Sequence, residues 1–233
     1  MGMRSVACDH HLLASGQDAD AFIRSDGLLV KRSRDGASLE REAELLRYLR
    51  THDIPVPRVA GGSGPELVME YVPGPTMAEE LDRRPWRAAA IGRDLARLHR
   101  ALDAVSPPDQ LPLHANANHN ANGNKNGLLH LDLHPGNVVL GPEGPVVVDW
   151  ANAARGDRRI DAALSWLAMM IGRLRPLGTA VRWTLVRSFL SGVDRAVLQA
   201  MPAAAEIRLA SHHRDQAEQD AVRRLLERCR QHS

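Results

Sequence analysis

Short apolar runs separated by turn residues fill the first third of the chain and are typical of strands. Residues 21–31 form two such runs on either side of an Asp-Gly pair, a strong signal for a hairpin turn. This pattern places Lys31 at the end of a strand. Two further strand-like runs lie around Val59 and over residues 66–72. The first part of the chain is therefore predicted to form a small antiparallel sheet.

One helix is predicted among these strands. Apolar residues recur at helical spacing from Leu39 to Leu49, and Ser38 stands where an N-cap residue belongs. The prolines at positions 55 and 57 end the helical pattern, because proline disfavours the helical conformation both at its own position and at the residue before it.

Helical patterns dominate beyond residue 72. A Pro-Gly-Pro segment at 73–75 has the composition of a connector. The amphipathic segments that follow are 85–104, 162–174, 181–190 and 217–229. We predict an α+β protein with an N-terminal lobe over 1–72, made of an antiparallel sheet and one helix, and a larger, mainly helical C-terminal lobe over 73–233.

Length and composition set broad limits. A chain of 233 residues can bury a core in each of two lobes. The 30 basic and 28 acidic residues give a formal net charge of +2, which indicates neither a nucleic-acid nor a membrane partner. No apolar run approaches the ~20 residues of a membrane span, and Cys8 and Cys229 make no metal-binding spacing. We expect a cytoplasmic protein with reduced thiols.

A low-complexity tract interrupts the second lobe. Residues 115–127 read ANANHNANGNKNG, which cannot bury enough apolar surface to offset the entropy of ordering. We expect a surface loop here, in which Lys125 needs no function.

The densest cluster of candidate chemistry lies between His130 and Trp150. Turn residues at 141–144 with apolar runs on both sides predict a hairpin. If paired positions sum to about 286, within one residue, Asn137 faces Asp149. An amide oxygen and a carboxylate so placed can hold one hard cation such as Mg²⁺.

A second carboxylate lies close to this hairpin in sequence. Asp132 precedes Asn137 by five residues, and the Pro-Gly pair between them can curl the loop back. A carboxylate beside a metal site can orient a hydroxyl, or accept its proton, for attack on a phosphoryl group. Asp and Asn are also common in turns for structural reasons, and it is the joint spacing of these residues that favours a functional role.

These residues resemble a known family of small-molecule kinases. His130-Leu-Asp132-Leu-His134-Pro-Gly-Asn137 is similar to the HxDxxxxN catalytic loop of the aminoglycoside phosphotransferase and choline-kinase-like enzymes, which share the protein-kinase fold. The segment ending at Asp149 resembles their counterpart of the DFG element. The resemblance implies ATP and Mg²⁺ as cofactors, Asp132 as the catalytic base, and Asn137 and Asp149 as metal ligands.

The first lobe carries the resemblance further. Lys31 looks like the strand lysine that contacts the α- and β-phosphates, and the scarcity of lysine beside arginine in this chain agrees with a specific role. Glu42 is the preferred ion-pair partner, over Glu40 and Glu44 on nearby turns. Residues 68–72 resemble the hinge that holds adenine, which assigns ATP contacts to the Glu70 carbonyl and the Val72 amide.

Three other positions have structural expectations. His99 stands in an LxxLH segment and is expected to pack in the core, and Asp161 is expected to cap the next helix. Residues 15–20 stand where a glycine-rich phosphate loop belongs, but they contain one glycine and two acids. Such a loop either points outward or leaves phosphate binding to Mg²⁺ and Lys31.

Two alternatives remain at this point. A catalytically silent nucleotide-binding pseudokinase would explain the poor phosphate loop, although it has no need of Asp132. A metal-dependent hydrolase could use His130, Asp132 and His134 as ligands, because alternate residues lie on one face of a strand.

The charge distribution bears on the substrate. We expect a small-molecule hydroxyl acceptor, and from residue 151 onward 14 Arg stand against 8 acids. A strongly cationic aminoglycoside would favour acids there, so the pattern favours a less cationic alcohol.

Overall fold

A computed structural model of the protein describes five stretches of the chain, residues 10–16, 18–114, 127–171, 178–210 and 216–231. The chain divides into two compact units, Met1–Pro73 and Gly74–Ser233. The predicted loop at 115–127 lies outside the described residues except for Gly127, which begins a strand.

The first unit is built on a five-stranded antiparallel sheet with the order β1-β2-β3-β5-β4. Its strands are β1 (His10–Ser15), β2 (Ala19–Arg24), β3 (Leu28–Ser33), β4 (Val59–Ser63) and β5 (Glu66–Glu70). The predicted hairpin is confirmed, since β2 pairs with β3 and Gly27 takes a φ of 83° that suits glycine. Lys31 lies inside β3 and faces Ala21 in register.

Strand β1 was not predicted. It pairs with β2 at the edge of the sheet, and its residues 11–15 are all exposed. Because neither face of this strand is buried, its sequence lacks the alternation of apolar and polar residues that marks a half-buried strand.

The helix of the first unit, α1 (Glu40–Arg50), buries its apolar face, including Leu45, Leu46 and Leu49. The expectation that Ser38 is the N-cap is wrong by one residue, because Leu39 holds that position. The Ser38 hydroxyl still accepts a hydrogen bond from the Glu40 amide at 3.3 Å.

The second unit is mainly helical, with two small two-stranded sheets. Its helices are α2 (Met77–Arg83), α3 (Ala88–Asp103), α4 (Arg158–Ile171), α5 (Thr179–Leu190), α6 (Met201–Ala210) and α7 (Gln216–Gln231). Strand β6 (Gly127–Leu129) pairs with β9 (Ala154–Gly156), and β7 (Val138–Gly141) pairs with β8 (Gly144–Val147).

Close helix packing forms the core of this unit. Gly92 of α3 lies against the Leu185 carbonyl oxygen of α5, and a Cβ added at this position would clash with that oxygen. The two helices can pack this closely because glycine has no side chain. Leu95 of α3 and Phe189 of α5 are fully buried. Helices α2 and α6 were not predicted, although Thr76 and Glu79 form a capping box at the start of α2.

Within the described stretches, no helix combines the length and the apolar character required to cross a membrane.

Candidate active site

The loop that precedes β7 is shaped by hydrogen bonds of His130. The His130 side chain is fully buried, its Nε2 lies 3.1 Å from the Val148 carbonyl oxygen, and its Nδ1 lies 3.3 Å from the Asp132 amide nitrogen. Since the amide can only donate, Nδ1 accepts and Nε2 carries the proton. Both ring nitrogens are therefore occupied, and the ring packs on Trp150 with 4.5 Å between centroids.

This arrangement argues against the alternative of a metal hydrolase. With both nitrogens in hydrogen bonds, His130 has no lone pair to give to a metal. Across the stretches described above, no three His, Cys, Asp or Glu side chains are grouped to hold a metal ion.

Asp132 and Asn137 lie in contact, as their spacing predicts. The Asn137 Nδ2 donates to the Asp132 carbonyl oxygen at 2.9 Å and lies 3.3 Å from the Asp132 Oδ2. A 3₁₀ turn over Pro135–Asn137 brings the loop back, and the His134 Nδ1 accepts from the Gly136 amide at 2.9 Å. The short range of these contacts explains why the Pro-Gly pair was sufficient to predict them.

The register of the hairpin that follows differs by one residue from the predicted sum of 286. Val138 pairs with Val147 and Gly141 with Gly144, so paired positions sum to 285. The reason is a two-residue turn centred between Pro142 and Glu143. Asn137 therefore faces Val148, whose amide donates to the Asn137 carbonyl oxygen at 3.0 Å.

Asp149 follows at the next position and has an unusual backbone. Its φ of 64° lies in the left-handed region, which costs energy for a residue with a side chain. Asp149 is exposed, whereas its neighbour Trp150 is 1% exposed and donates from Nε1 to the Val147 carbonyl oxygen. The buried Trp150 thus fixes the chain directly after Asp149, whose backbone is strained and whose side chain is exposed.

These side chains have the chemistry of a hard-cation site. The Asn137 amide is oriented by its own nitrogen toward Asp132, so its oxygen is the atom that can coordinate a metal. An amide oxygen together with the Asp149 carboxylate matches the oxygen ligands that Mg²⁺ prefers.

Asp161 of α4 anchors the loop that begins at Leu131. It is fully buried, its Oδ1 accepts from the Leu131 amide at 2.7 Å, and its Oδ2 lies 3.0 Å from the Arg158 Nη1. Leu131 has a φ of 67°, so this bond holds a residue in a strained conformation. The expectation that Asp161 caps the next helix is wrong, because it lies within the first turn of α4 and binds a distant amide.

The charge of Asp161 is maintained by its neighbours. Burial alone would raise its pKa, but the Arg158 guanidinium and the Leu131 amide hold the pKa of this carboxyl below its usual range. Asp161 therefore remains an anion beneath the loop.

His99 packs below the same loop, as expected. It is 2% exposed, its Nε2 lies 2.8 Å from the Ser165 hydroxyl, and that hydroxyl donates to the Leu133 carbonyl oxygen. Burial lowers the pKa of His99 to about 4, which leaves the ring neutral near pH 7.

The first unit contains a second predicted contact. The Lys31 Nζ lies 2.8 Å from the Glu42 Oε1 and 2.9 Å from the Oε2, with the Glu42 side chain only 5% exposed. A carboxylate this buried requires a charged partner. Glu40 and Glu44 are exposed. The geometry thus selects Glu42 among the three glutamates.

The two residues assigned to adenine binding lie at the end of the first unit. Glu70 is the last residue of β5, and its Oε2 accepts from the Arg58 amide at 3.1 Å. Val72 follows in the irregular segment and is half-buried.

The turn between β1 and β2 compensates one of its own acids. The Arg34 guanidinium lies 2.6 Å from the Asp20 Oδ1, which also accepts from the Ser15 hydroxyl at 2.7 Å. These bonds lower the pKa of Asp20. The negative charge of Asp20 is therefore compensated by Arg34.

One charged residue near Asp132 was missed by sequence analysis. Arg208 of α6 is 5% exposed, and its Nη1 lies 3.6 Å from the Asp132 Oδ1. The two residues are far apart in sequence, and no motif links them.

The sequence matches a family model and a curated relative. The model of the phosphotransferase enzyme family matches residues 9–122 and 109–207. The BUD32 subunit of the EKC/KEOPS complex from Encephalitozoon cuniculi (strain GB-M1) is 34% identical over 96 residues, covering 35% of this chain and 48% of that protein. The chain thus spans about half the length of this curated relative.

Solved structures share the fold at low identity. The ADP-bound aminoglycoside phosphotransferase APH(2'')-Ib matches with a TM-score of 0.63 and 17% identity over 95% of this chain and 93% of that chain. The amicoumacin kinase hAmiN, in complex with AMP-PNP, Ca²⁺ and Ami, has a TM-score of 0.64 and 16% identity, with 96% and 88% covered. A choline/ethanolamine kinase family protein from Mesorhizobium loti has a TM-score of 0.60 and 15% identity, with 98% and 89% covered. The expected α+β protein-kinase-like fold class is confirmed.

Proposed function

Because this chain belongs to the phosphotransferase enzyme family, we propose that it transfers the γ-phosphate of ATP to a hydroxyl group of a small molecule. The single observation that carries the proposal is the cluster formed by Asp132 and Asn137, with Asp149 at the end of the adjacent hairpin. Solved neighbours with the same fold include complexes with ADP and with AMP-PNP and Ca²⁺.

In this proposal the second unit supplies the chemistry. Mg²⁺, held by Asn137 and Asp149, would neutralise charge on the ATP phosphates. Asp132 would orient the acceptor hydroxyl and receive its proton. The bond between the hydroxyl oxygen and the γ-phosphorus forms as the bond from that phosphorus to the bridging oxygen of ADP breaks.

The first unit would hold the nucleotide. Lys31, fixed by the bidentate contact to Glu42, would place one compact positive charge on the α- and β-phosphates. The Glu70 carbonyl and the Val72 amide would hydrogen-bond adenine. We propose all four as ATP-binding residues, with Glu42 acting through Lys31.

The acceptor is proposed to carry few positive charges. Arginines of the second unit engage many of its acids: Arg158 contacts Asp103 and Asp161, and Arg159 contacts Asp157. A polycationic acceptor needs carboxylates that are not already neutralised. A sugar, a macrolide or another weakly charged alcohol meets this condition better.

The test is a measurement of acceptor-dependent ADP release with Mg²⁺ and ATP. The panel contains gentamicin and streptomycin as polycations, choline as a monocation, and neutral sugars, nucleosides and macrolides. We expect a neutral or monocationic alcohol to stimulate ADP release and to acquire one phosphate, detected by mass spectrometry. Binding of ATP with no phosphorylated product across the panel would favour the pseudokinase, and stimulation by the aminoglycosides alone would overturn the proposed acceptor class.

A further inference from the structure

An arginine lies in the buried face of α6. Met201, Ala204, Ala205 and Arg208 recur at helical spacing, and all four are buried. The first three are apolar, so they require nothing but packing. A guanidinium cannot be deprotonated in a protein, and a buried one is stable only beside groups that compensate its charge. The position of Arg208 thus demands an anionic or strongly polar neighbour.

Asp132 provides a carboxylate at that position. The Arg208 Nη1 lies 3.6 Å from the Asp132 Oδ1, and this oxygen is buried although the side chain as a whole is 26% exposed. The other oxygen, Oδ2, lies 3.3 Å from the Asn137 Nδ2 and 3.6 Å from the His134 Nε2. The two carboxylate oxygens therefore have different surroundings: Oδ1 faces the cation inside the protein, and Oδ2 lies on the side of the catalytic loop.

We infer that Arg208 is a positioning residue for the transfer reaction, which fixes the orientation of the Asp132 carboxylate with Oδ2 toward the acceptor. The inference rests on the proposed function. Arg208 would make α6 a further element of the active site, in addition to the loop that carries Asp132 and the hairpin that ends near Asp149.

This contact has two consequences. Because the Arg208 guanidinium holds Oδ1 inside the protein, Oδ2 is the oxygen left to accept a hydrogen bond from the acceptor. The positive charge of Arg208 also offsets the repulsion between Asp132 and the incoming phosphoryl oxygens. Phosphoryl transfer depends mainly on the positioning of the reacting groups, so a carboxylate of fixed orientation is what the attacking hydroxyl requires.

The test compares Arg208→Met, Arg208→Lys and the control Arg159→Met in the 233-residue chain. Arg159 is a partly buried arginine of the same unit that pairs with Asp157 instead of Asp132. The first readout is the orientation of the Asp132 side chain in crystal structures of the wild type and the variants without ligands. The second is the kcat and KM for ATP, with the acceptor found in the panel.

In Arg208→Met we expect the Asp132 carboxylate to leave its wild-type orientation and kcat to fall by about tenfold or more, with KM for ATP changed less than about twofold. Arg208→Lys retains the positive charge and is expected to keep the wild-type orientation and most of kcat. Arg159→Met should change neither quantity.

An unchanged Asp132 orientation and kcat in Arg208→Met would overturn the inference. If that variant does not fold, Arg208→Gln takes its place, because it removes the charge but keeps a polar side chain, and an Asp132 orientation equal to that of the wild type would then contradict the inference. A wild-type protein that transfers no phosphate refutes the proposed function, whereas the comparison of Asp132 orientations still decides whether Arg208 positions Asp132.

Discussion

Replacing Asp132 by Asn is expected to lower the rate of phosphate transfer by about 10²–10⁴-fold, because the amide cannot accept the hydroxyl proton. The substitution is close to isosteric, so the contact with Asn137 and the fold should persist. The affinity for ATP, measured by calorimetry in the presence of Mg²⁺, should change little, since Asp132 is not proposed to bind the nucleotide.

A matched control distinguishes this effect from a general loss of negative charge. Asp157 lies in the same unit and is paired with Arg159 at the start of α4. Asp157→Asn should therefore retain most of the transfer activity. Equal turnover in Asp132→Asn and the wild type would remove Asp132 from the reaction.

The second large effect is expected at Lys31. Replacing Lys31 by Met removes the ammonium that lies within 2.9 Å of both Glu42 oxygens. Because the Glu42 carboxylate is buried, the free energy of unfolding should fall by about 3 kcal/mol. Transfer should fall by about 10²–10³-fold, the usual effect of losing one preorganised group that stabilises charge.

A double substitution separates these two consequences. In Lys31→Met combined with Glu42→Leu, neither charge remains, so stability in urea denaturation should recover while transfer stays low. Recovery of transfer together with stability would show that the pair is structural only. Lys31→Arg tests geometry at constant charge, and we expect it to transfer poorly, since a guanidinium fork does not replace a compact ammonium.

Local sequence patterns were sufficient to predict contacts between residues that are close in sequence. The hairpin of β2 and β3, which carries Lys31, depends on the three-residue turn at 25–27, and Asp132 and Asn137 are only five positions apart in sequence. The ion pair of Lys31 with Glu42 could be selected because both lie on regular elements and the family resemblance supplied the pairing.

Contacts between distant segments could not be predicted in the same way. Asp161 binds the Leu131 amide across 30 positions, and a carboxylate at a helix start is more commonly a cap. Arg208 lies in a helix rich in alanine, whose short apolar stripe gives a weak periodic signal. The one-residue shift at Asn137 has another cause, because the length of a hairpin turn sets its register.

Asn137 and Asp149 are proposed to hold a divalent cation on the nucleotide beside Asp132. The binding of Mn²⁺ to the protein saturated with AMP-PNP tests this site, measured by electron paramagnetic resonance in the wild type, Asp149→Asn and Asp157→Asn. We predict that Asp149→Asn weakens Mn²⁺ binding by at least about tenfold, while Asp157→Asn binds as the wild type does. Equal Mn²⁺ affinity in all three proteins would show that Asp149 does not bind the metal.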